Sequence, residues 1–306
     1  MFPIWIAALM LFQSTFSSTD LTLVDHGRTI AVLHRSDIAL MEPGPPILDE
    51  QKIQRLSLWI NKKVERPPVN AAIAPSDSIT AGKSGQRLYQ AVFKNRLIQA
   101  FYSKKSTRVN IPLLTTQPKV DSELLGQIRT EQISSYSTRF NPANESRANN
   151  IFLATQALNS TVVFPGETFS FNQTVGQRTT GKGYRVAKII VRGEYSEGIG
   201  GGICQVSSTL FNAADKAGLQ IVQRFSHSKH VSYVPPGRDA TVSWYGPDFQ
   251  FRNNYNQPIL IRGKSGNGFL TLALYSSDVI KLAPKRVPSP PANPPKETRD
   301  KSERAE

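Results

Sequence analysis

The stretch Gly200-Gly201-Gly202-Ile203-Cys204-Gln205-Val206-Ser207-Ser208-Thr209-Leu210-Phe211-Asn212-Ala213 governs the reading of this chain. Val206, Leu210, Ala213, Ala214 and Ala217 recur at helical spacing and share one face, so a helix is expected to run up to Gly218. Lys216 falls in its last turn, where a cation suits the helix dipole. Cys204 then sits at or just before the helix N-terminus, a position that favours thiolate. The glycines ahead of it allow a close backbone approach, by a ligand or by packed chain. Free N–H groups there could hold an oxyanion.

Working outward, the flanks alternate strand and turn. Asn141-Pro142 reads as a cap followed by proline, opening a helix that Ile151, Ala154 and Leu158 continue. Val162–Phe164, Pro165-Gly166 and Thr168–Phe171 read as strand, turn, strand, and residues 186–192 as another strand. Beyond the Cys helix everything reads β, over 219–225, 230–234, 240–245, 249–252, 258–262 and 269–275, with Gly, Pro and Asn turns between. Upstream, residues 20–125 form a small α+β module. Leu21–Val24 and Thr29–Leu33 read as strands; Ile53, Leu56, Ile60 and Val64 mark a helix stopped by Pro67-Pro68. Residues 84–101 read as a second helix, followed by a strand from Val109 to Leu113. The predicted class is therefore α+β: a small N-terminal α+β module, then a mixed α+β domain with a β-rich C-terminal half. From Pro284 to Glu306 the chain is rich in Pro and charge without apolar spacing, which predicts a disordered tail.

Several separated motifs carry a family resemblance. The glycine–cysteine stretch, Phe164-Pro165-Gly166-Glu167-Thr168-Phe169-Ser170-Phe171-Asn172, His227-Ser228-Lys229-His230, Tyr233-Val234-Pro235-Pro236-Gly237-Arg238-Asp239-Ala240-Thr241-Val242 and Phe251-Arg252-Asn253 occur in order. Together they resemble the VanW family, named after an accessory protein of glycopeptide-resistance operons. The resemblance implies a VanW domain over 128–278. Ile79-Thr80-Ala81-Gly82-Lys83-Ser84-Gly85-Gln86 and the stretch from Val109 to Pro118 are similar, more weakly, to the peptidoglycan-binding module that precedes VanW domains. The implied partner is peptidoglycan or an associated anionic wall polymer, in a cell-wall maintenance role.

Composition agrees with that address. The formal charge is +14, of which the tail, with six basic and four acidic residues, supplies only +2. Such a charge favours anionic partners. Phe2–Phe12 is almost wholly apolar and a small polar stretch follows, so residues 1–18 read as a signal peptide or an uncleaved N-terminal anchor. Export excludes nucleic acid as partner and places the protein in the envelope or outside the cell. The chain's single cysteine rules out an internal disulfide. Its thiol is then buried and inert, paired between chains, or kept for reactivity.

A reactive thiol needs a base and a group to orient it. The candidates are His227 and His230 as base and Asp239 as orienting group, giving a Cys-dependent wall hydrolase or transferase as the alternative to binding without turnover. The order, with Cys at a helix start, His on a following strand and then a polar residue, is that of papain-like wall amidases, by analogy of layout alone. Were one strand to run through both histidines, their odd spacing would turn only one toward Cys204. Gly201, Gly202, Gln205, Glu167 and Arg238 are the candidate ligand-binding residues. The bland reading gives Cys204 a space-filling role and Asp239 a turn-shaping one. His227 and His230 at metal-ligand spacing lack the thiol or carboxylate companions a zinc site needs, so neither metal nor cofactor is expected. Gly82-Lys83-Ser84 has Asp77 where a phosphate loop requires glycine and reads as a turn before a helix.

Overall fold

The structure, a computed structural model, describes residues 20–40, 46–74, 76–103, 105–191 and 194–294. The expected signal peptide at 1–18 lies outside them, as do residues 295–306. Two compact units emerge. One comprises the chain up to Asn70 together with Gly82–Lys119; the other comprises Ala71–Ala81 and the chain from Val120 onward. The boundary expected at 125–128 thus falls at Lys119/Val120, and the short segment 71–81 joins the second unit.

In the first unit β1 (Leu21–Asp25) pairs antiparallel with β2 (Arg28–Leu33), and α1 (Glu50–Val64) follows. Asp49 caps α1 by accepting from the N–H groups of Gln51 and Lys52, and the apolar stripe Ile53, Ile60 and Val64 is buried as its spacing requires. The chain gives β3 (Ala72–Ile73) and β4 (Ile79–Thr80) to the second unit, where they pair with each other. It returns with β5 (Gly85–Leu88), α2 (Gln90–Tyr102), β6 (Thr107–Asn110) and β7 (Leu113–Thr116). β6 lies parallel to β1, and β7 pairs with β5. The helix expected from Ser84 starts only at Gln90. Gly85 is pressed against the backbone of Arg66–Pro68, where no Cβ fits, so residues 85–88 take a strand partner instead. Buried Arg35 donates to the carbonyls of Ala100, Phe101 and Ser103, satisfying the open C-terminal end of α2.

The second unit contains α3 (Ser122–Ile128), β8 (Glu131–Arg139), α4 (Glu145–Leu158), β9 (Thr161–Val163), β10 (Thr168–Ser170) and α5 (Phe171–Val175). These are followed by β11 (Val186–Val191), β12 (Glu194–Ile199), α6 (Ile203–Lys216), β13 (Gln220–Gln223), β14 (Gln250–Arg252), β15 (Ile259–Gly266) and β16 (Phe269–Ser276). A four-stranded antiparallel sheet, order β8-β16-β15-β9, has α4 and α6 on one face and α3 on the other. The alternation of a strand explains both faces. Ile259 and Ile261 enter the main core beside Leu270, Leu272 and Leu274, while Leu260 and Tyr275 meet Leu125 and Ile128 of α3. A second sheet, order β10-β14-β13, and the hairpin β11–β12 complete the unit. The mixed α+β class expected from the sequence is what the structure shows.

Two expected strands are absent. Residues 230–234 and 240–245 lie in one long loop, 224–249, between β13 and β14. Their apolar side chains are buried, with Val231, Tyr233, Val234, Ala240 and Val242 all in the core. Their backbone groups, however, find partners on α6 and within the loop rather than on a ladder. Ala240 N–H donates to Ser208 Oγ at 2.8 Å, Asn212 Nδ2 donates to the Arg238 carbonyl at 2.8 Å, and Ser243 N–H donates to the Pro247 carbonyl at 2.8 Å.

The tail is seated further than its composition suggests. Lys285 N–H donates to the Lys216 carbonyl at 3.0 Å, its ammonium meets Asp215 at 3.1 Å, and Val287 packs on the core. Tyr255 Oη joins tail to helix: it donates to the Ala217 carbonyl at 2.6 Å and accepts from Ala283 N–H at 3.1 Å. Tyr255→Phe is expected to destabilise the second unit by about 1–2 kcal/mol, because it orphans the carbonyl of buried Ala217 and releases the Ala283 N–H. Urea denaturation checks the loss, and faster tryptic cleavage after Lys285 and Arg286 checks that the tail has lifted.

Candidate active site

The start of α6 is fixed by what surrounds it. Gly200 and Gly202 have φ of +91° and +105°, which other residues rarely adopt. Gly201 has no such φ but lies on β11; a Cβ there would stand 2.6 Å from the Lys188 carbonyl oxygen. Buried Asn150 of α4 locks the turn. Its Nδ2 donates to the carbonyls of Gly201 at 3.0 Å and Arg185 at 2.9 Å, and its Oδ1 accepts from Arg185 N–H at 2.8 Å. The N–H groups of Ile203 and Gln205 turn back to the carbonyls of Gly200 and Gly202. Cys204, the second helical residue, is thereby held at the positive end of the helix.

α6 is buried on every side from Gln205 to Ala214, so its polar residues must be paired internally. Gln205 Nε2 donates to Thr138 Oγ1 and the Arg139 carbonyl, and its Oε1 accepts from Arg147 Nη2 at 2.7 Å. Ser207 Oγ donates to the Ala240 carbonyl, and Asn212 Oδ1 accepts from Arg238 Nε at 2.8 Å. These contacts fasten the 224–249 loop across the helix start and bring His227 and Asp239 to Cys204.

Asp239 Oδ2 accepts from both the backbone N–H and the ring Nδ1 of His227, each at 2.6 Å. The two side chains are only 9% and 5% exposed. With Nδ1 committed to the carboxylate, Nε2 is the ring nitrogen left for the thiol, and imidazole and thiol lie within electrostatic range of each other. The sulfur, half-buried, also lies 3.5 Å from the Val242 carbonyl and 3.7 Å from Thr241 Oγ1. Arg224 steadies the carboxylate residue, donating from Nε to the Asp239 carbonyl at 2.6 Å.

The charges follow from this geometry. Burial pushes the Cys204 thiol up, but the hydrogen bond and positive charge of His227 outweigh it and hold the pKa below the ordinary thiol value. Burial lowers His227; Asp239 and the Cys204 thiolate reverse this and raise the imidazole to about 9. Burial likewise raises Asp239, and its bonds from His227 bring it below the usual carboxylate range. These directions favour a thiolate–imidazolium pair backed by a carboxylate over the neutral pair.

The site opens into a cleft of about 1410 Å³. The β11–β12 hairpin forms one wall and the 241–247 stretch, with exposed Trp244 and Tyr245, forms another. Gly201, Gly202 and Gln205 are among the residues that line it. His230 lines the cleft from an exposed position, and the bond to Asp239 belongs to His227. Two expected ligand-binding residues face elsewhere. Glu167 accepts the Phe164 N–H at 3.1 Å in the turn before β10, and Arg238 pairs with Asp215 at 2.9 Å and stacks on Phe211. Both are spent on holding local structure, and neither lines the cleft. Sequence reasoning missed Arg147, Arg178 and Tyr233, which do line it. Burial and the charge of Cys204 push the Tyr233 phenol up, which places it in the field of the thiolate.

The raised His227 value sets a pH window. A group whose folded pKa exceeds its unfolded value stabilises the fold fully below the unfolded value, near 6.5, and loses that contribution as pH rises through about 9. Asp239→Asn removes the main support for the imidazolium. The expected result is a His227 titration midpoint shifted down from about 9 toward or below neutrality, read by NMR of the imidazole.

The VanW like protein family model matches residues 146–275. The chain is 51% identical over 288 residues to YoaR of Bacillus subtilis, described as an uncharacterized protein, spanning 94% of this chain and 95% of that one. It is 33% identical over 115 residues to the vancomycin B-type resistance protein VanW of Enterococcus faecalis, spanning 36% of this chain and 42% of that protein. No solved structure matches. The motifs that build the Cys204 site fall within the matched region, and the chain belongs to the VanW family.

Proposed function

We propose that this protein is an exported thiol enzyme of the cell envelope that cleaves or transfers an amide-linked acyl group of wall material. The observation that carries the reading is the Cys204–His227–Asp239 arrangement opening into a cleft. The wall address is supported by the name of the Enterococcus relative and by the net charge of +14, which suits peptidoglycan and its anionic polymers. The weak resemblance of the first unit to wall-binding modules supports retention there, and the apolar segment Phe2–Phe12 supports export or anchoring.

The chemistry runs in two halves. The Cys204 thiolate attacks the amide carbonyl carbon, forming a C–S bond, and the oxygen gathers negative charge near the N–H of Cys204 at the helix start. The C–N bond then breaks, and the departing amine takes the proton from His227 Nε2, leaving a thioester and a neutral imidazole. Water, or a second amine in a transferase, gives its proton back to His227 as it attacks the thioester. The C–S bond breaks, the thiolate returns, and a carboxylic acid or a new amide leaves. Asp239 keeps Nδ1 protonated throughout and holds the ring in plane.

Incubating the protein with purified peptidoglycan and with soluble wall peptides tests this, with mass spectrometry reading new amines and carboxylates or exchanged amides. Cys204→Ala is expected to lower turnover by about 10³-fold or more, as loss of a nucleophile does, while still sedimenting with peptidoglycan. Equal product from Cys204→Ala and wild type excludes the thiol mechanism. Sedimentation without product from either leaves wall binding without turnover as the function.

A further inference from the structure

The glycine turn that delivers Cys204 is clamped between two arginines. A Cβ on Gly200 would stand 3.4 Å from Cβ of Arg178, and one on Gly202 would stand 3.0 Å from Cγ of Arg147. Both side chains line the cleft and both are partly buried. Each guanidinium is held by a neutral oxygen: Arg147 Nη2 donates to Gln205 Oε1 at 2.7 Å, and Arg178 Nη2 to Asn172 Oδ1 at 2.8 Å. Arg178 Nη1 is buried without an acceptor, and the ring of Phe171 lies 5.6 Å from the guanidinium carbon.

Among the described residues, neither arginine forms an ion pair with a carboxylate. Arg224, Arg238 and Arg262 of the same unit each do, with Asp239, Asp215 and Asp77. Asp248 is within electrostatic range of Arg178, but its oxygens take bonds from Ser170, the Asn172 and Phe249 N–H groups and Gln250. Glu197 is the one carboxylate among the described cleft-lining residues, and it stands opposite Lys188 in the hairpin register. Partly desolvated guanidinium groups without a counter-charge are costly, and a carboxylate outcompetes an amide oxygen for them. Packed against the glycine turn that delivers the nucleophile and lining the same cleft, they supply the counter-charge a substrate anion would need.

We propose that Arg147 and Arg178 make the cleft selective for an acyl substrate that carries a free carboxylate beside its reacting carbonyl, as a peptide with an exposed C-terminal or side-chain carboxylate does. The proposal rests on the thiolate reading of Cys204. Iodoacetate and iodoacetamide separate the two ideas, because both alkylate a thiolate at the same carbon and differ only in carboxylate against carboxamide.

The ratio of the two Cys204 alkylation rates is to be measured at neutral pH in the full chain, in Arg178→Gln and in Arg147→Gln. The ratio cancels any change in the thiol itself. It is expected to fall about tenfold in Arg178→Gln, as loss of a charge-assisted contact would give. A second readout needs no variant: N-acetylalanine is expected to protect Cys204 of the wild-type protein from iodoacetamide, and N-acetylalaninamide is not. Unchanged ratios in both variants, or equal protection by the two compounds, overturn the carboxylate proposal and leave the thiolate intact. An iodoacetamide rate no faster than that of an ordinary cysteine overturns the thiolate reading beneath it.

Discussion

A single carboxylate oxygen, Oδ2 of Asp239, accepts both N–H groups that His227 offers on that side, and the site depends on it. Those two bonds set the residue's backbone and its ring at once. They keep the proton on Nδ1, leave Nε2 as the nitrogen available to the sulfur and bias the imidazole toward its charged form. The consequence reaches Cys204, because an imidazolium beside a thiol at a helix N-terminus stabilises the thiolate twice over. Asp239 is itself almost fully buried, so its charge would be costly without these partners and Arg224.

What permits this geometry is an unusual use of a buried helix. α6 carries Gln205, Ser207, Ser208, Thr209 and Asn212 in full burial. Each is hydrogen-bonded, and three of them bond to the 238–240 stretch. The helix thereby does for the loop what a neighbouring strand would do in a sheet: it takes up the loop's N–H and C=O groups, and a long irregular segment can sit against the core. Asn150 does the same for the glycine turn from the other side. Polar satisfaction, more than apolar packing, determines where His227 lies relative to Cys204.

These facts explain which parts of the chain were legible. The spacing of Ile53, Ile60 and Val64 marked α1, and that of Val206, Leu210, Ala213 and Ala214 marked α6, expected to run up to Gly218 and ending at Lys216, because both helices bury an apolar stripe. β12 escaped notice, although it pairs along β11 from Glu194 to Ile199. Residues 230–234 and 240–245 read as strands because alternating apolar residues look the same whether the backbone joins a ladder or bonds to helix side chains. Hence Cys204 and Asp239 could be named from sequence, while the choice of His227 over His230 could not, since it depends on a loop path. Arg238 and Glu167 looked like ligand residues because charge beside a Pro-Gly turn carries no record of its partner; Asp215 and the Phe164 N–H supply those partners. Arg147 and Arg178 lie 57 and 26 positions before Cys204. Only the folded glycine turn brings them beside it.

The most direct measurement of the central claim is the pH dependence of Cys204 alkylation by a neutral reagent, followed in wild type and in His227→Ala. The account predicts a wild-type rate that is already high at pH values where an ordinary thiol is protonated, with a second inflection near pH 9 as the imidazolium loses its proton. In His227→Ala the low-pH reactivity disappears and a single ordinary thiol titration remains. Identical single titrations in both proteins would show that sulfur and imidazole do not share a charge, and would contradict the account.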